Sequence, residues 1–123
     1  MSARIYSKVI IADDEPDSRT LFRRILRNLN CDLVGEAANG EELLNLFRRK
    51  KPDLVLLDYH MPIKNGFETL RELRALDPNV TIIMLTVEGD KDKVHECITN
   101  GANDYILKST SANIMRSRIE KFL

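Results

Sequence analysis

The sequence of 123 residues lacks an excess of charge of either sign and lacks any apolar run of membrane-spanning length. Nineteen Lys and Arg residues balance nineteen Asp and Glu residues, so no overall field favours nucleic acid or an anionic membrane. No signal-peptide pattern follows Met1. These absences predict a cytoplasmic protein without membrane or direct nucleic-acid contact, whose function depends on a local cluster of groups.

Cysteine is also scarce. Neither Cys31 nor Cys97 has a second cysteine or a histidine at metal-ligand spacing. A disulfide between them stays open, although two isolated cysteines in a domain of this size are typical of reduced thiols. Repeats, linkers and low-complexity segments are missing too, so we expect one domain over residues 1–123.

Short apolar runs alternate with helix-like apolar stripes along the whole chain. The runs predict strands within 6–12, 31–37, 54–58, 80–86 and 104–107, each followed by a helix. This alternation predicts a parallel sheet with helices on both faces. The runs at strands one, three and four are the strongest and fit the centre of the sheet. We therefore predict an α/β, flavodoxin-like doubly wound fold of strand order 2-1-3-4-5 with five helices.

Apolar positions in two of the helices predict which side packs on the sheet. In the third helix we expect Leu76 to face inward together with Leu70 and Leu73. In the mostly polar fourth helix we expect Val94 and Ile98 to be the anchors.

Polar residues follow or end four of the predicted strands. They are Asp13 and Asp14 after strand one, Asp58 at the end of strand three, Thr86 at the end of strand four and Lys108 after strand five. Ligands of such sheets bind outside the carboxyl ends of the strands, at the switch point between strands one and three. Taken singly, each residue also has a structural explanation, such as acids at a helix N-terminus. The functional interpretation depends on all of them meeting at one edge.

Three carboxylates at one edge need compensation. Two carboxylates about 4 Å apart repel by about 4 kcal/mol at an effective dielectric near 20. The site therefore holds either a proton or a divalent cation. Oxygen ligands that are open to water suit Mg²⁺, which a phosphate often completes. Lys108 and Thr86 would then suit phosphoryl oxygens.

The ordered set of motifs resembles the receiver domain of bacterial two-component response regulators, in particular the single-domain chemotaxis regulators. The resemblance covers essentially the whole chain and is carried by Asp13-Asp14, Asp58, Met61-Pro62, Gly66, Thr86, Tyr105 and Lys108. It implies a phosphorylation-dependent switch in a phosphorelay, a phosphoprotein that catalyses only its own phosphorylation and dephosphorylation. Asp58 would accept a phosphoryl group from a phosphohistidine on a histidine kinase or a histidine phosphotransfer protein.

The resemblance also implies a metal site. Asp14 and Asp58 would bind Mg²⁺ directly, Asp13 would act through water, and the backbone carbonyl of His60 would complete the protein ligands. Mn²⁺ is the alternative ion. Lys108 would pair with Asp58 and then with a phosphoryl oxygen.

For the output, the resemblance implies a switch made of Thr86 and Tyr105. Thr86 would bind a phosphoryl oxygen and draw its loop inward, and Tyr105 would fill the space left behind. A downstream protein target would read the resulting change on the surface of helix four, strand five and helix five. A phosphorylation-dependent homodimer through this surface is left open.

Two residues depart from the family pattern, and two others are expected to tune the lifetime of the phosphoryl group. Val87 stands where the family usually has a small residue and is expected to crowd the approach to the acceptor. Ser109 stands where proline is usual, and we expect a trans bond before it because a cis bond would cost about 3 kcal/mol. His60 and Glu88 would flank the phosphoryl group and tune its lifetime, with solvated loop side chains as the alternative.

Three other functions compete with this interpretation. A degenerate receiver that binds partners without phosphorylation is the main alternative, because Val87 and Ser109 are unusual. A haloacid-dehalogenase-like phosphohydrolase is disfavoured because His60 stands where its second acid should be. A flavin- or nucleotide-binding module is disfavoured because the loop after strand one is acidic and lacks a glycine-rich phosphate cradle.

Overall fold

The computed structural model describes residues 6–87 and 89–123. Within these ranges, five strands alternate with five helices. The strands are β1 (Ser7–Ala12), β2 (Cys31–Ala37), β3 (Leu54–Asp58), β4 (Thr81–Thr86) and β5 (Asp104–Leu107). The helices are α1 (Pro16–Arg27), α2 (Gly40–Lys50), α3 (Gly66–Leu76), α4 (Lys91–Thr99) and α5 (Ala112–Glu120).

The sheet has the order β2-β1-β3-β4-β5, and all of its neighbouring strands are parallel. The predicted fold and strand order are thus confirmed. The central strand β3 is buried along its whole length. Alternate residues of β3 point to opposite faces, with Val55 and Leu57 in one core and Leu54 and Leu56 in the other. This two-sided burial explains its unbroken apolar run.

Each face of the sheet has its own core. Helices α2, α3 and α4 cover one face, and α1 and α5 cover the other. Side-chain caps fix several helix starts: Asn39 accepts a hydrogen bond from the backbone of Glu42, and Asn65 accepts one from the backbone of Glu68. Pro16 occupies the first turn of α1, where its missing N–H costs nothing.

Two of the expected inward positions were wrong. Leu76, the last residue of α3, is 50% exposed, because the buried side of the helix ends at Leu73, about one turn earlier. In α4 the buried residue is Cys97, and Ile98 is exposed. One residue along a helix is a rotation of about 100°, so the narrow contact of α4 with the sheet excludes Ile98. No helix in the described ranges is long and apolar enough to cross a membrane.

Candidate functional site

The acidic residues that follow β1 and β3 meet at the carboxyl edge of the sheet. Ala12 is in register with Leu57, so Asp13 and Asp58 emerge side by side from neighbouring parallel strands. Carboxylate oxygens of Asp13, Asp14 and Asp58 all lie within 4.8 Å of one another. Asp13 and Asp58 are buried and Asp14 is exposed, so the cluster is open to water on one side.

Asp13 is held by hydrogen bonds on several sides. Its N–H donates to the carbonyl oxygen of Ala37 on β2 at 2.9 Å. Its Oδ1 accepts the N–H of Glu15 at 2.9 Å, and its carbonyl oxygen accepts a guanidinium N–H of Arg19 at 2.6 Å. The position of this carboxylate is therefore fixed by β2, by the β1–α1 loop and by α1 together.

The cation of the site comes from Lys108, which follows β5. Its Nζ lies 2.8 Å from Oδ2 of Asp13, 3.5 Å from Oδ2 of Asp58 and 3.7 Å from Oε1 of Glu15. Nζ also donates to Oγ of Ser18 at 3.3 Å. One ammonium group thus faces several carboxylates, and the site keeps an excess of negative charge.

The pKa of Asp58 is raised from 3.8 to about 7. Burial of the carboxyl is the main cause, and the charge of Asp13 adds to it. Lys108 and a backbone hydrogen bond from His60 act in the opposite direction. For Lys108 itself, burial lowers the pKa, but the neighbouring acids outweigh burial and the net shift is upward.

The donor set fits a hard divalent cation. Asp13 Oδ2 is buried, and its contact at 2.8 Å is with the Lys108 ammonium. The ligand atoms offered are carboxylate oxygens, and the exposure of Asp14 leaves room for water. Mg²⁺ is typically bound in this way, by few carboxylates and several waters.

The β3–α3 loop returns tightly onto the end of β3. The N–H of Gly66 donates to the carbonyl oxygen of Tyr59 at 2.8 Å. A Cβ atom at Gly66 would collide with the carbonyl oxygen of Asp58 and with the backbone of Tyr59. Only glycine allows α3 to start this close to the backbone of Asp58, which explains the glycine of the predicted motif.

Within the same loop, Ile63 has a positive φ of 69°. The N–H of Lys64 donates to the carbonyl oxygen of Pro62 at 2.7 Å, so Ile63 is the central residue of a γ-turn. A β-branched residue is strained in this region of backbone space. Its side chain is 74% exposed, so burial does not offset the strain.

Thr86 ends β4, and Tyr105 lies on the neighbouring strand β5, in register with Met84. Both are buried. Burial raises the pKa of Tyr105, and a side-chain hydrogen bond with Thr86 partly offsets the rise. The Tyr105 phenol is thus already buried in the fold and hydrogen-bonded to Thr86.

Tyr59, next to Asp58, is covered by α4. The ammonium group of Lys93 lies 5.2 Å from the centre of the Tyr59 ring. The ring of His60 stands edge-on to it, with ring centres 5.0 Å apart. His60 itself is exposed.

The structure brings five predicted residues into one site, namely Asp13, Asp14, Asp58, Lys108 and, at its border, Thr86. Val87 is 66% exposed, and the Lys108–Ser109 bond is trans as expected. Glu88 lies outside the described residues.

Arg19 was missed by sequence reasoning. A signal for it exists, because a cation in the first turns of a helix opposes the helix dipole and needs an acceptor nearby.

The fold and the acidic site together define a receiver domain. The sequence model described as "Response regulator receiver domain" matches residues 9–120, and the chain belongs to this family of two-component signalling proteins. Chemotaxis protein CheY of Listeria monocytogenes is 35% identical over 114 residues, which cover 93% of this chain and 96% of CheY. Protein CcdB of Bacillus subtilis is 39% identical over 102 residues, or 83% and 85% of the two chains.

A solved structure shows the same likeness. A chain of the CheX-CheY-BeF3-Mg+2 complex from Borrelia burgdorferi superposes with a TM-score of 0.90 at 26% identity. The match covers 94% of this chain and 87% of that chain.

Proposed function

We propose that this receiver domain is a phosphorylation-dependent switch in which Asp58 accepts a phosphoryl group from a phosphohistidine. The donor would be a histidine kinase or a histidine phosphotransfer protein. The observation that carries the proposal is the position of Asp58, buried at the end of β3 with Asp13, Asp14 and Lys108 around its carboxylate. A buried acid in this setting either holds a proton or takes part in chemistry.

The transfer is a single displacement at phosphorus. A carboxylate oxygen of Asp58 forms a bond to phosphorus while the bond between phosphorus and the imidazole nitrogen breaks, and the imidazole leaves with the electron pair. Asp58 must be ionised for this step. Nζ of Lys108, 3.5 Å from Oδ2 of Asp58, favours the ionised carboxylate and is placed to bind a phosphoryl oxygen.

Asp13, Asp14 and Asp58 would hold Mg²⁺, with the backbone carbonyl of His60 as a further ligand and Mn²⁺ as the alternative ion. When bound, the cation supplies charge neutralisation for the carboxylates and for the phosphoryl oxygens. The complex from Borrelia burgdorferi contains BeF3 and Mg+2, an anion and a cation of the kind that this site would accept.

The output would begin at Thr86 and Tyr105. A phosphoryl group adds nearly two negative charges and three acceptor oxygens, and the Thr86 hydroxyl is the nearest candidate donor on β4. Taking the hydroxyl toward the phosphoryl group would change its hydrogen bond with Tyr105. The surface of α4, β5 and α5 would then present a different face to a downstream protein or a second copy of the chain.

The proposal is tested by intact-mass measurement after incubation with Mg²⁺ and acetyl phosphate or phosphoramidate. Phosphoramidate carries the phosphorus–nitrogen bond of phosphohistidine. We expect a gain of one phosphoryl group in the wild type and in Asp53→Asn, an exposed acid at the opposite end of β3. Asp58→Asn should show no gain.

Absence of the gain in the wild type with both donors and with a purified histidine kinase would contradict the proposal. It would leave the phosphorylation-independent binding module as the better interpretation. Repeated hydrolysis of phosphate esters would instead indicate a phosphohydrolase.

A further inference from the structure

Arg19 connects the acidic site to the end of β2. Its Nη1 donates to the carbonyl oxygen of Asp13 at 2.6 Å, and its Nε lies 3.5 Å from Oε1 of Glu36. The residue belongs to α1, one turn after Glu15. A single guanidinium thus contacts the backbone of a buried site residue and a carboxylate of the neighbouring strand.

Glu36 is itself held in place. The guanidinium of Arg23 donates two hydrogen bonds to its two carboxylate oxygens, both at 2.9 Å, which is the bidentate geometry that gives arginine pairs their specificity. The next residue, Ala37, accepts the N–H of Asp13. Arg19, Glu36 and Arg23 therefore form a brace, and the two peptide groups of Asp13 are fixed by this brace and by β2.

The position of Arg19 is unfavourable without these acceptors. A cation in the first turns of a helix is repelled by the helix dipole. Arginine can contact two acceptors in different directions because its donors form a rigid fork, whereas the single ammonium of lysine cannot reproduce that geometry. The acceptors present are the carbonyl of Asp13 and the carboxylate of Glu36, which gives a reason for arginine here.

We propose that Arg19 is a positioning residue for the divalent cation, acting through the backbone of Asp13. It does not touch the reacting atoms. By holding the Asp13 carbonyl, it fixes the direction in which the Asp13 carboxylate leaves the chain, toward Asp14 and Asp58. The inference rests on the proposed function, since it concerns the cation of that site.

The sign of the effect separates positioning from simple charge. Arg19 is a cation beside a cation site, so its removal by Arg19→Gln would tighten Mg²⁺ binding if only long-range electrostatics mattered. Loss of positioning weakens Mg²⁺ binding instead. The two explanations predict opposite shifts of the Kd.

The experiment is a calorimetric Mg²⁺ titration of the full chain. Removing a group that orients a metal ligand typically weakens metal binding by about 10-fold or more, and we expect a rise of that size in the Kd of Arg19→Gln. Arg19→Lys keeps the charge and should also bind more weakly than the wild type. Arg24→Gln removes an exposed cation from the same helix and should leave the Kd within about two-fold of the wild type.

Phosphorylation by acetyl phosphate supplies a second measurement. For Arg19→Gln we expect the half-saturating Mg²⁺ concentration to rise with the Kd, while the rate at saturating Mg²⁺ stays within about two-fold of the wild type. Glu36→Gln should shift the Kd less. The double variant Arg19→Gln/Glu36→Gln should not exceed Arg19→Gln, because the two residues act through one contact.

Unchanged or tighter Mg²⁺ binding in Arg19→Gln would overturn the inference. So would a Kd shift accompanied by an equal loss of rate at saturating Mg²⁺ and a melting temperature well below that of Arg24→Gln, since that pattern indicates general damage to the fold. If the wild type neither binds Mg²⁺ nor takes a phosphoryl group, the proposed function fails together with the inference. If the wild type does both and Arg19→Gln equals it, only the inference fails.

Discussion

Lys108 holds its ammonium group 2.8 Å from Oδ2 of Asp13. The contact of the same ammonium with Asp58 is longer, at 3.5 Å. The ammonium therefore mainly balances Asp13, and burial raises the pKa of Asp58 to about 7. Of the two buried acids, Asp58, the proposed acceptor, therefore has the longer contact with the Lys108 ammonium.

Replacing Lys108 by methionine should destabilise the metal-free protein. The change leaves Asp13 buried without its ion-pair partner, and removing one member of such a pair costs about 3 kcal/mol. Mg²⁺ should restore part of the loss, because it supplies positive charge at the same carboxylates. Urea unfolding with EDTA and with excess MgCl₂ measures both effects, and the exposed Lys91→Met serves as the control. Equal stability of Lys108→Met and wild type in EDTA would contradict this expectation.

The contribution of Asp58 to the stability of the metal-free protein should fall as the pH rises. The pKa of Asp58 is raised in the folded state from 3.8 to about 7, so between these values the folded state binds more protons than the unfolded state. The contribution is fully present below pH 3.8 and is lost as the pH approaches 7. The slope attributable to one group cannot exceed about 1.4 kcal/mol per pH unit.

Urea unfolding of wild type and Asp58→Asn in EDTA across this pH range measures the effect as the difference between the two curves. Asn does not titrate, so the free energy of unfolding of Asp58→Asn should lack this component and exceed that of the wild type above pH 7. Parallel curves for the two proteins would show that Asp58 does not carry the dependence.

The strand order was predictable because the apolar pattern of each strand indicates whether one or both of its faces are buried. Leu54–Leu57 is apolar at every position, which only a strand covered on both faces requires. The convergence of Asp13 and Asp58 followed from that order, since neighbouring parallel strands end at the same edge. The position of a strand in the sheet was therefore predictable wherever its local sequence pattern had only one structural explanation.

Contacts that depend on the path of a loop were not predictable. The positive φ of Ile63 follows from the short return between Pro62 and Lys64, and nothing in the identity of an isoleucine indicates it. The contact of Arg19 with the Asp13 carbonyl depends on the direction in which α1 leaves its loop. Likewise, the choice between Cys97 and Ile98 as the buried residue of α4 depends on a helix rotation that two apolar neighbours leave undetermined.

Gly66→Ala should disturb the acceptor as well as the fold. The added Cβ would collide with backbone atoms of Asp58 and Tyr59, which cannot move aside without shifting the end of β3. Overpacking of this kind costs about 1–3 kcal/mol, and the displaced carboxylate should take up phosphoryl groups from acetyl phosphate more slowly.

Gly89→Ala is the matched control for Gly66→Ala. Its Cβ would meet the Leu107 side chain at 3.6 Å, an ordinary contact, so its free energy of unfolding should stay within about 0.5 kcal/mol of the wild type. Urea unfolding and intact-mass kinetics are the measurements. Equal behaviour of the two alanine variants would show that the close approach of Gly66 to Asp58 is not restrictive.

Ile63→Gly should stabilise the protein, although it removes a large apolar side chain. Ile63 is 74% exposed, so little burial is lost, and its φ of 69° is strained for a β-branched residue. Release of a left-handed conformation is worth about 1–2 kcal/mol, against about 0.5–1 kcal/mol for the greater freedom of glycine in the unfolded chain. Val87→Gly, also at an exposed β-branched loop residue but without a positive φ, should lose stability by that entropic amount. Urea unfolding in EDTA compares the two, and a loss of stability in Ile63→Gly equal to that in Val87→Gly would show that the γ-turn stores no strain.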